Sequence, residues 1–260
     1  MKEFYIEDDG IRLHAKLDLP AGITEEDAES GKGRCPLAII IHGLTGHMEE
    51  THIRAVASLM NEMGIASLRV EMYGHGKSDG AFRDHNLFKW LNNAMTVTDY
   101  AKSLPFVTDL YVCGHSQGGL ATIFLAGMKP ENFKAVIPLS PATMIPLGAR
   151  KGRGFAAGLS SFDPDHIPDE LPVNAEQKVS GNYVRAAQML DLDWAVSRYK
   201  GPVLIVHGDE DEAVPVEFSQ ETAAKYCDAE LVIISGDDHC YNYHLDKVLA
   251  AIRSFLYKQK

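Results

Sequence analysis

Two hydrophobic rhythms divide the chain. Over residues 2–7 and 11–18, apolar and polar positions alternate on either side of Asp8-Asp9-Gly10. Alternation of that kind predicts strands with one covered face, and the Asp-Gly pair between them predicts a β-hairpin. From residue 36 the strands change character. Pro36-Leu37-Ala38-Ile39-Ile40-Ile41-His42 is continuously apolar, as a strand must be when both faces of its sheet are covered. Similar short runs predict strands near 66–71, 109–114, 134–139, 202–207 and 230–235, and longer segments near 50–63, 87–103, 116–129, 215–226 and 243–258 predict helices. Regular alternation of the two predicts an α/β fold, a mostly parallel sheet with helices on both sides. Residues 21–33 are polar and contain glycine, and read as a loop.

The rhythm breaks over residues 141–192, which carry Pro141, Pro146, Pro164, Pro168 and Pro172 and a glycine-rich stretch over 148–158. Connections in α/β units usually run about two to six residues, so an excursion this long needs a function. It keeps Ile145, Phe155, Phe162, Ile167, Leu171, Tyr183 and Met189, enough apolar side chains for an ordered unit. The predicted organisation is a core formed by residues 1–140 and 193–260, with 141–192 inserted as a cap subdomain. No internal repeat is visible.

The 260 residues fit one large domain with an insertion; 45% are hydrophobic and 23% charged, as in a globular protein with a true core. The formal net charge is −11, and basic residues cluster only at Arg150-Lys151-Gly152-Arg153. Nucleic acid and anionic membranes are therefore excluded as expected partners, because phosphate binding needs concentrated positive charge. Cys35, Cys113, Cys227 and Cys240 lie apart without CxxC spacing, which fits reduced thiols. The first ten residues contain no signal-like apolar core, and no apolar run reaches the roughly 20 residues of a membrane span. The expected location is the cytoplasm. Composition leaves the oligomeric state, a homodimer included, unspecified.

Gly114-His115-Ser116-Gln117-Gly118 stands between a β-favouring run and an apolar helical run. A serine there sits on a sharp strand-to-helix turn that exposes its hydroxyl, and glycines two positions either side let the chain bend that tightly. A serine hydroxyl needs a base, and the base an orienting acid. His239 follows the last predicted strand, and Asp209 and Asp211 follow the strand over 202–207. All three loops open at the carboxyl edge of the sheet. Asp209 directly after the strand suits shaping the turn, and Asp211 further out suits reaching a neighbouring loop. Ser116, Asp211 and His239 are thus the expected catalytic set, in the order serine, acid, histidine. Acyl transfer also needs donors for an oxyanion. The expected ones are the backbone N–H of Gln117, at a helix start, and that of Leu44, in the loop His42-Gly43-Leu44-Thr45-Gly46.

Rival chemistry fits less well. Gly76-Lys77-Ser78 resembles the end of a phosphate-binding loop, but Glu71 occupies the required upstream glycine position, so a turn is expected there. Asp238, His239, Cys240 and His244 do not follow a zinc spacing. No metal and no cofactor are expected. Trp90 and Trp194 are read as packing residues.

With His42-Gly43, the serine pentapeptide, His207-Gly208-Asp209-Glu210-Asp211 and Gly236-Asp237-Asp238-His239, the chain resembles the α/β-hydrolases. A narrower resemblance, to bacterial cinnamoyl (feruloyl) esterases, rests on Met72-Tyr73-Gly74-His75-Gly76-Lys77-Ser78-Asp79-Gly80 and on the inserted segment. There Asp163-Pro164-Asp165-His166-Ile167-Pro168-Asp169-Glu170-Leu171-Pro172 and Gly181-Asn182-Tyr183-Val184-Arg185 resemble that family's cap. The resemblance implies hydrolysis of esters joining ferulate, p-coumarate or caffeate to sugars or quinate-like alcohols, with Tyr183 facing the aromatic acyl group. Leu44 stands where some members have phenylalanine. Members with an acidic residue near Gly148, or an aromatic near Asn174, differ here, and residues 141–192 contain no tryptophan. Alternatives are another acyl hydrolase on the same fold (monoacylglycerol lipase, thioesterase or peptidase), or a hydrolase-fold protein that binds a ligand without turning it over.

Overall fold

A computed structural model describes residues 1–153 and 161–259. The chain opens with the antiparallel hairpin β1 (Lys2–Asp8) and β2 (Ile11–Asp18). A short helix α1 (Glu25–Ser30) follows, where the sequence pattern predicts only loop. Its origin is local: the Thr24 hydroxyl accepts the Asp27 N–H at 3.1 Å, the Asp27 carboxylate accepts the Thr24 N–H at 3.3 Å, and Gly31 ends the helix in the left-handed region. This capping box operates without the apolar periodicity that pattern reading relies on.

The remainder runs β3 (Cys35–Ile41), α2 (Thr51–Glu62), β4 (Ala66–Val70), α3 (Leu87–Ser103), β5 (Val107–His115), α4 (Gln117–Met128) and β6 (Phe133–Leu139). Then come α5 (Met144–Arg150), the small antiparallel pair β7 (Glu170–Pro172) and β8 (Lys178–Ser180), α6 (Gly181–Gln188) and α7 (Leu192–Arg198). The chain ends with β9 (Val203–Gly208), α8 (Glu217–Lys225), β10 (Ala229–Ile234) and α9 (Leu245–Lys258). Eight strands form one sheet in the order β1-β2-β4-β3-β5-β6-β9-β10. Pairing is antiparallel from β1 through β4 and parallel from there on. This is the α/β-hydrolase fold, mostly parallel with helices on both faces.

Strand β3 shows why its run is continuously apolar. Leu37, Ile39 and Ile41 enter the core beside Trp90 of α3 and Leu120 of α4, while Ala38 and Ile40 enter the opposite core beside Val56 of α2 and Ile252 of α9. Successive side chains on a strand point to opposite faces, so a strand covered twice must be apolar throughout.

Helix α7 has no counterpart among the predicted elements. Asp191 caps it by accepting the Trp194 N–H at 3.1 Å. Trp194 itself is not a packing residue: it is 43% exposed, with the Arg198 guanidinium 5.3 Å from the centre of its ring. Trp90, by contrast, is fully buried. In the inserted segment Ile145, Leu171 and Tyr183 are buried, Phe162 and Ile167 pack partly against the core, and Met189 is exposed. Phe155 lies outside the described residues. Residues 73–80 form turns after β4, as expected of Gly76-Lys77-Ser78. Among the described residues no helix is long and apolar enough to cross a membrane.

Candidate active site

Four loops at the carboxyl ends of β3, β5, β9 and β10 bring the expected residues to one edge of the sheet. Ser116 joins β5 to α4 with φ 56° and ψ −119°, a left-handed conformation that is strained for a residue with a side chain. The turn is also crowded. A β-carbon at residue 114 would run into the Gly118 carbonyl, and one at 118 into the His42 carbonyl. Glycine at both positions is what lets the strand, the helix and the β3 loop meet beneath the serine.

Asp211 lies after β9 with a fully buried side chain. Its Oδ1 accepts the N–H groups of Ala213 (2.9 Å) and Val214 (2.8 Å). Its Oδ2 faces His239 Nδ1 at 2.6 Å and His207 Nε2 at 3.1 Å. Burial pushes this carboxyl up, but the hydrogen bonds from His207 and His239, with that from Val214, outweigh burial and hold it below the usual carboxylate range. With Nδ1–H donating to Asp211, Nε2 of His239 is the ring nitrogen left for chemistry. Asp209, the rival acid, serves elsewhere. Its Oδ1 accepts the Gly236 N–H at 2.6 Å and so shapes the loop leading to His239.

The backbone N–H groups of Leu44 and Gln117 have no protein acceptor among the described residues. Both are held in place through other atoms. His75 Nε2–H donates to the Leu44 carbonyl. His42 donates from Nδ1 to the Gly43 carbonyl (2.7 Å) and accepts the Met72 N–H at Nε2 (3.1 Å). Burial, with His75 nearby, lowers His42 to about 3, which keeps its ring neutral as that acceptor role requires. His115, the residue before the serine, donates Nε2–H to the His239 carbonyl at 2.7 Å. Burial, with His52 next to it, lowers His115 well below its ordinary value.

These groups open on a cavity of about 260 Å³. Ser116, His239, Leu44 and Gln117 line it, with Met144, Ile145, Val173 and Asn174 of the inserted segment as walls. Cys240 is a second nucleophilic atom type in the cavity. Burial, then Glu50, Asp238 and Asp211, raise its thiol to about 11, so it stays protonated and unreactive at neutral pH. Among the described residues no group of three or more metal-ligating side chains forms a site.

Tyr183, which the resemblance sets facing the acyl group, lies behind the cavity wall. It is fully buried, is not among the cavity-lining residues, and donates its hydroxyl to Gln117 Oε1 at 2.5 Å. The inserted segment thereby grips the residue whose N–H opens α4. Removing that hydroxyl leaves a buried amide oxygen unsatisfied, which costs about 1–3 kcal/mol. Tyr183→Phe is therefore expected to lower the melting temperature and to lower kcat by about 3- to 10-fold with KM little changed. A rise in KM at constant kcat would instead restore Tyr183 to direct substrate contact. Sequence reading misses His75, His115 and Glu50. The first two stand inside motifs already singled out, and the third lies just beyond the His42-Gly43 loop.

A family model described as serine aminopeptidase, S33, matches residues 35–164. Among curated proteins, the chain is 23% identical over 218 residues to human palmitoyl-protein thioesterase ABHD10, mitochondrial, covering 80% of this chain and 68% of that one. Among solved structures, it matches Est1E from Butyrivibrio proteoclasticus with ferulic acid bound at 52% identity, covering 98% of both chains with a TM-score of 0.92. The mouse alpha/beta hydrolase domain-containing protein 10 shares the fold, with a TM-score of 0.80 at 18% identity over the full length of both chains.

Proposed function

The chain belongs to the α/β-hydrolase superfamily and is a carboxylic ester hydrolase, and on that premise we propose that it cleaves esters of hydroxycinnamic acids (ferulate, p-coumarate and caffeate) through an acyl-enzyme on Ser116. The observation that carries this reading is the cavity itself. An exposed-turn serine and a carboxylate-held histidine open onto it, and its apolar walls come from the inserted segment. Such walls suit a flat aromatic acid, and the likeness to Est1E, solved with ferulic acid, supports that choice of acid.

His239 Nε2 takes the Ser116 proton as Oγ attacks the ester carbonyl, and Asp211 stabilises the imidazolium through Nδ1–H. The N–H groups of Leu44 and Gln117 stabilise the oxyanion, the second aided by the dipole of α4. His239 then protonates the departing alcohol. Water, deprotonated by the same ring, releases the acid. Residues 141–192 act as the cap that selects the acyl group; Asn174 lines the cavity while its side-chain amide bonds Glu176 and Gln177 of its own turn.

The test is a panel of methyl ferulate, methyl p-coumarate, methyl caffeate, p-nitrophenyl butyrate, an S-palmitoyl thioester and an aminoacyl anilide. The expected result is the highest kcat/KM on the hydroxycinnamates. A higher value on the thioester or the anilide would replace this reading with thioesterase or peptidase action. A protein that binds ferulate yet resists labelling by a fluorophosphonate would be a binder without turnover.

A further inference from the structure

We propose that Glu50 reads the alcohol half of the ester, accepting neutral polyols such as sugars and disfavouring anionic hydroxy acids. This rests on the ester-cleaving reading above and names the other half of its substrate.

Glu50 immediately precedes α2 and lines the same cavity as Ser116 and His239. Its carboxylate lies against the loop that carries the Leu44 N–H: a β-carbon at residue 46 would run into Glu50 Oε2, so glycine at 46 is what admits it. Oε2 accepts the His47 N–H at 3.3 Å. Oε1 has no hydrogen-bond partner among the described residues and remains able to accept from a ligand. Burial raises this carboxyl, while the His47 N–H and the nearby His239 act against burial. A hydroxyl donated by a ligand restores part of the hydration that burial removes.

Position assigns the half of the substrate. Glu50, His239 and Cys240 line one cavity, and Glu50 interacts electrostatically with both of the others. His239 delivers the proton to the leaving alkoxide, so the alcohol must lie beside His239, and therefore beside Glu50. The Thr45 hydroxyl adds a second polar group in the same lining.

Charge assigns the class. Among the described residues that line the cavity there is no lysine or arginine, and Glu50 is the acidic one. Asp211 adds a buried negative charge behind His239. An alcohol carrying its own carboxylate, as quinate does, meets like charge beside the half-buried Glu50, where repulsion exceeds that in bulk water yet stays open to screening by salt. Sugar hydroxyls meet a charged acceptor, the stronger class of hydrogen bond.

The experiment compares kcat/KM for methyl ferulate, a feruloyl-arabinose ester and feruloyl-quinate in wild type and Glu50→Gln. Glutamine keeps the acceptor that closes the 47–50 turn and removes the charge. The arabinose-to-methyl ratio is expected to fall, and the quinate-to-methyl ratio to rise, each by about 3- to 10-fold. Both ratios within about twofold of wild type would overturn the inference while leaving the esterase reading intact. Failure of wild type to cleave any of the three would overturn both. If the variant does not fold, salt provides the second measurement on wild type. Raising ionic strength from about 0.05 M to about 0.5 M should lift the quinate-to-methyl ratio by about 2-fold or more. A ratio insensitive to salt would count against Glu50.

Discussion

Replacing Ser116 with alanine is expected to lower turnover of methyl ferulate by about 10⁵-fold or more, with the melting temperature held. Only one oxygen is removed. Alanine keeps the β-carbon, so it bears the same backbone strain at φ 56° that serine bears. The crowded contacts of the turn involve residues 114, 118 and 42, which the substitution leaves untouched. Loss of activity with an intact fold would therefore report chemistry alone. Steady-state rates, a thermal melt and mass detection of the acyl-enzyme check it. Activity above a few per cent of wild type would remove Ser116 from the nucleophile's role.

Asp211→Asn should cost about 10³- to 10⁴-fold in kcat, for a reason visible in its hydrogen bonds. Both carboxylate oxygens accept. Ala213 and Val214 donate to one, and His239 and His207 approach the other. An amide has one oxygen and one NH₂, so in either orientation its NH₂ meets donors. If it faces the backbone pair, the turn at 211–214 loses its anchor. If it faces His239, the ring must move its proton to Nε2, the nitrogen needed as the base. Thermal stability is thus expected to fall along with rate. Sign follows from the depressed carboxyl: its contribution is present above the unfolded value of about 3.9 and is lost as pH falls through the folded one. Wild type should lose stability on acidification below about pH 4, and the variant should lose less over the same range. Equal acid profiles for the two proteins, or a kcat within about tenfold, would show that Asp211 is not the orienting acid.

What is legible in the sequence follows from how local each signal is. The Ser116 turn is announced by its own neighbours, since Gly114, Gly118 and the flanking strand and helix are all within a few residues. The doubly covered strands are readable because burial on both faces leaves no polar position. Preference for Asp211 over Asp209 needs only the distance each lies beyond β9. The bond from Tyr183 to Gln117 is not legible because the two stand on different elements, and composition cannot orient a side chain across such a gap. Trp194 is misjudged because an aromatic ring covered by Arg198 at the surface reads, one residue at a time, like a core ring. Helix α1 escapes notice because only Ala28 in it is buried, and a capping box stands in for the periodicity that marks the other helices. Glu50 stays hidden since the bend of residues 43–50 is what turns it into the cavity.

Strands β6 and β9 lie side by side, paired at Val136 with Val203 and at Leu139 with Val206. The chain between them, 141–192 included, leaves from the carboxyl end of β6 and returns through α7 to the amino end of the neighbouring parallel strand β9. Such an excursion can be shortened, lengthened or exchanged without shifting the register of any core strand, and doubling a loop's length adds only about 0.6 kcal/mol of closure entropy. Under the proposed function, selectivity for the acyl group is therefore a graftable property, carried on one continuous piece of chain, while the alcohol side stays with the core at Glu50. Among the ties such a graft must keep is a hydroxyl at 183 bonded to Gln117, without which a new lid would sit over the serine but no longer hold the start of its helix.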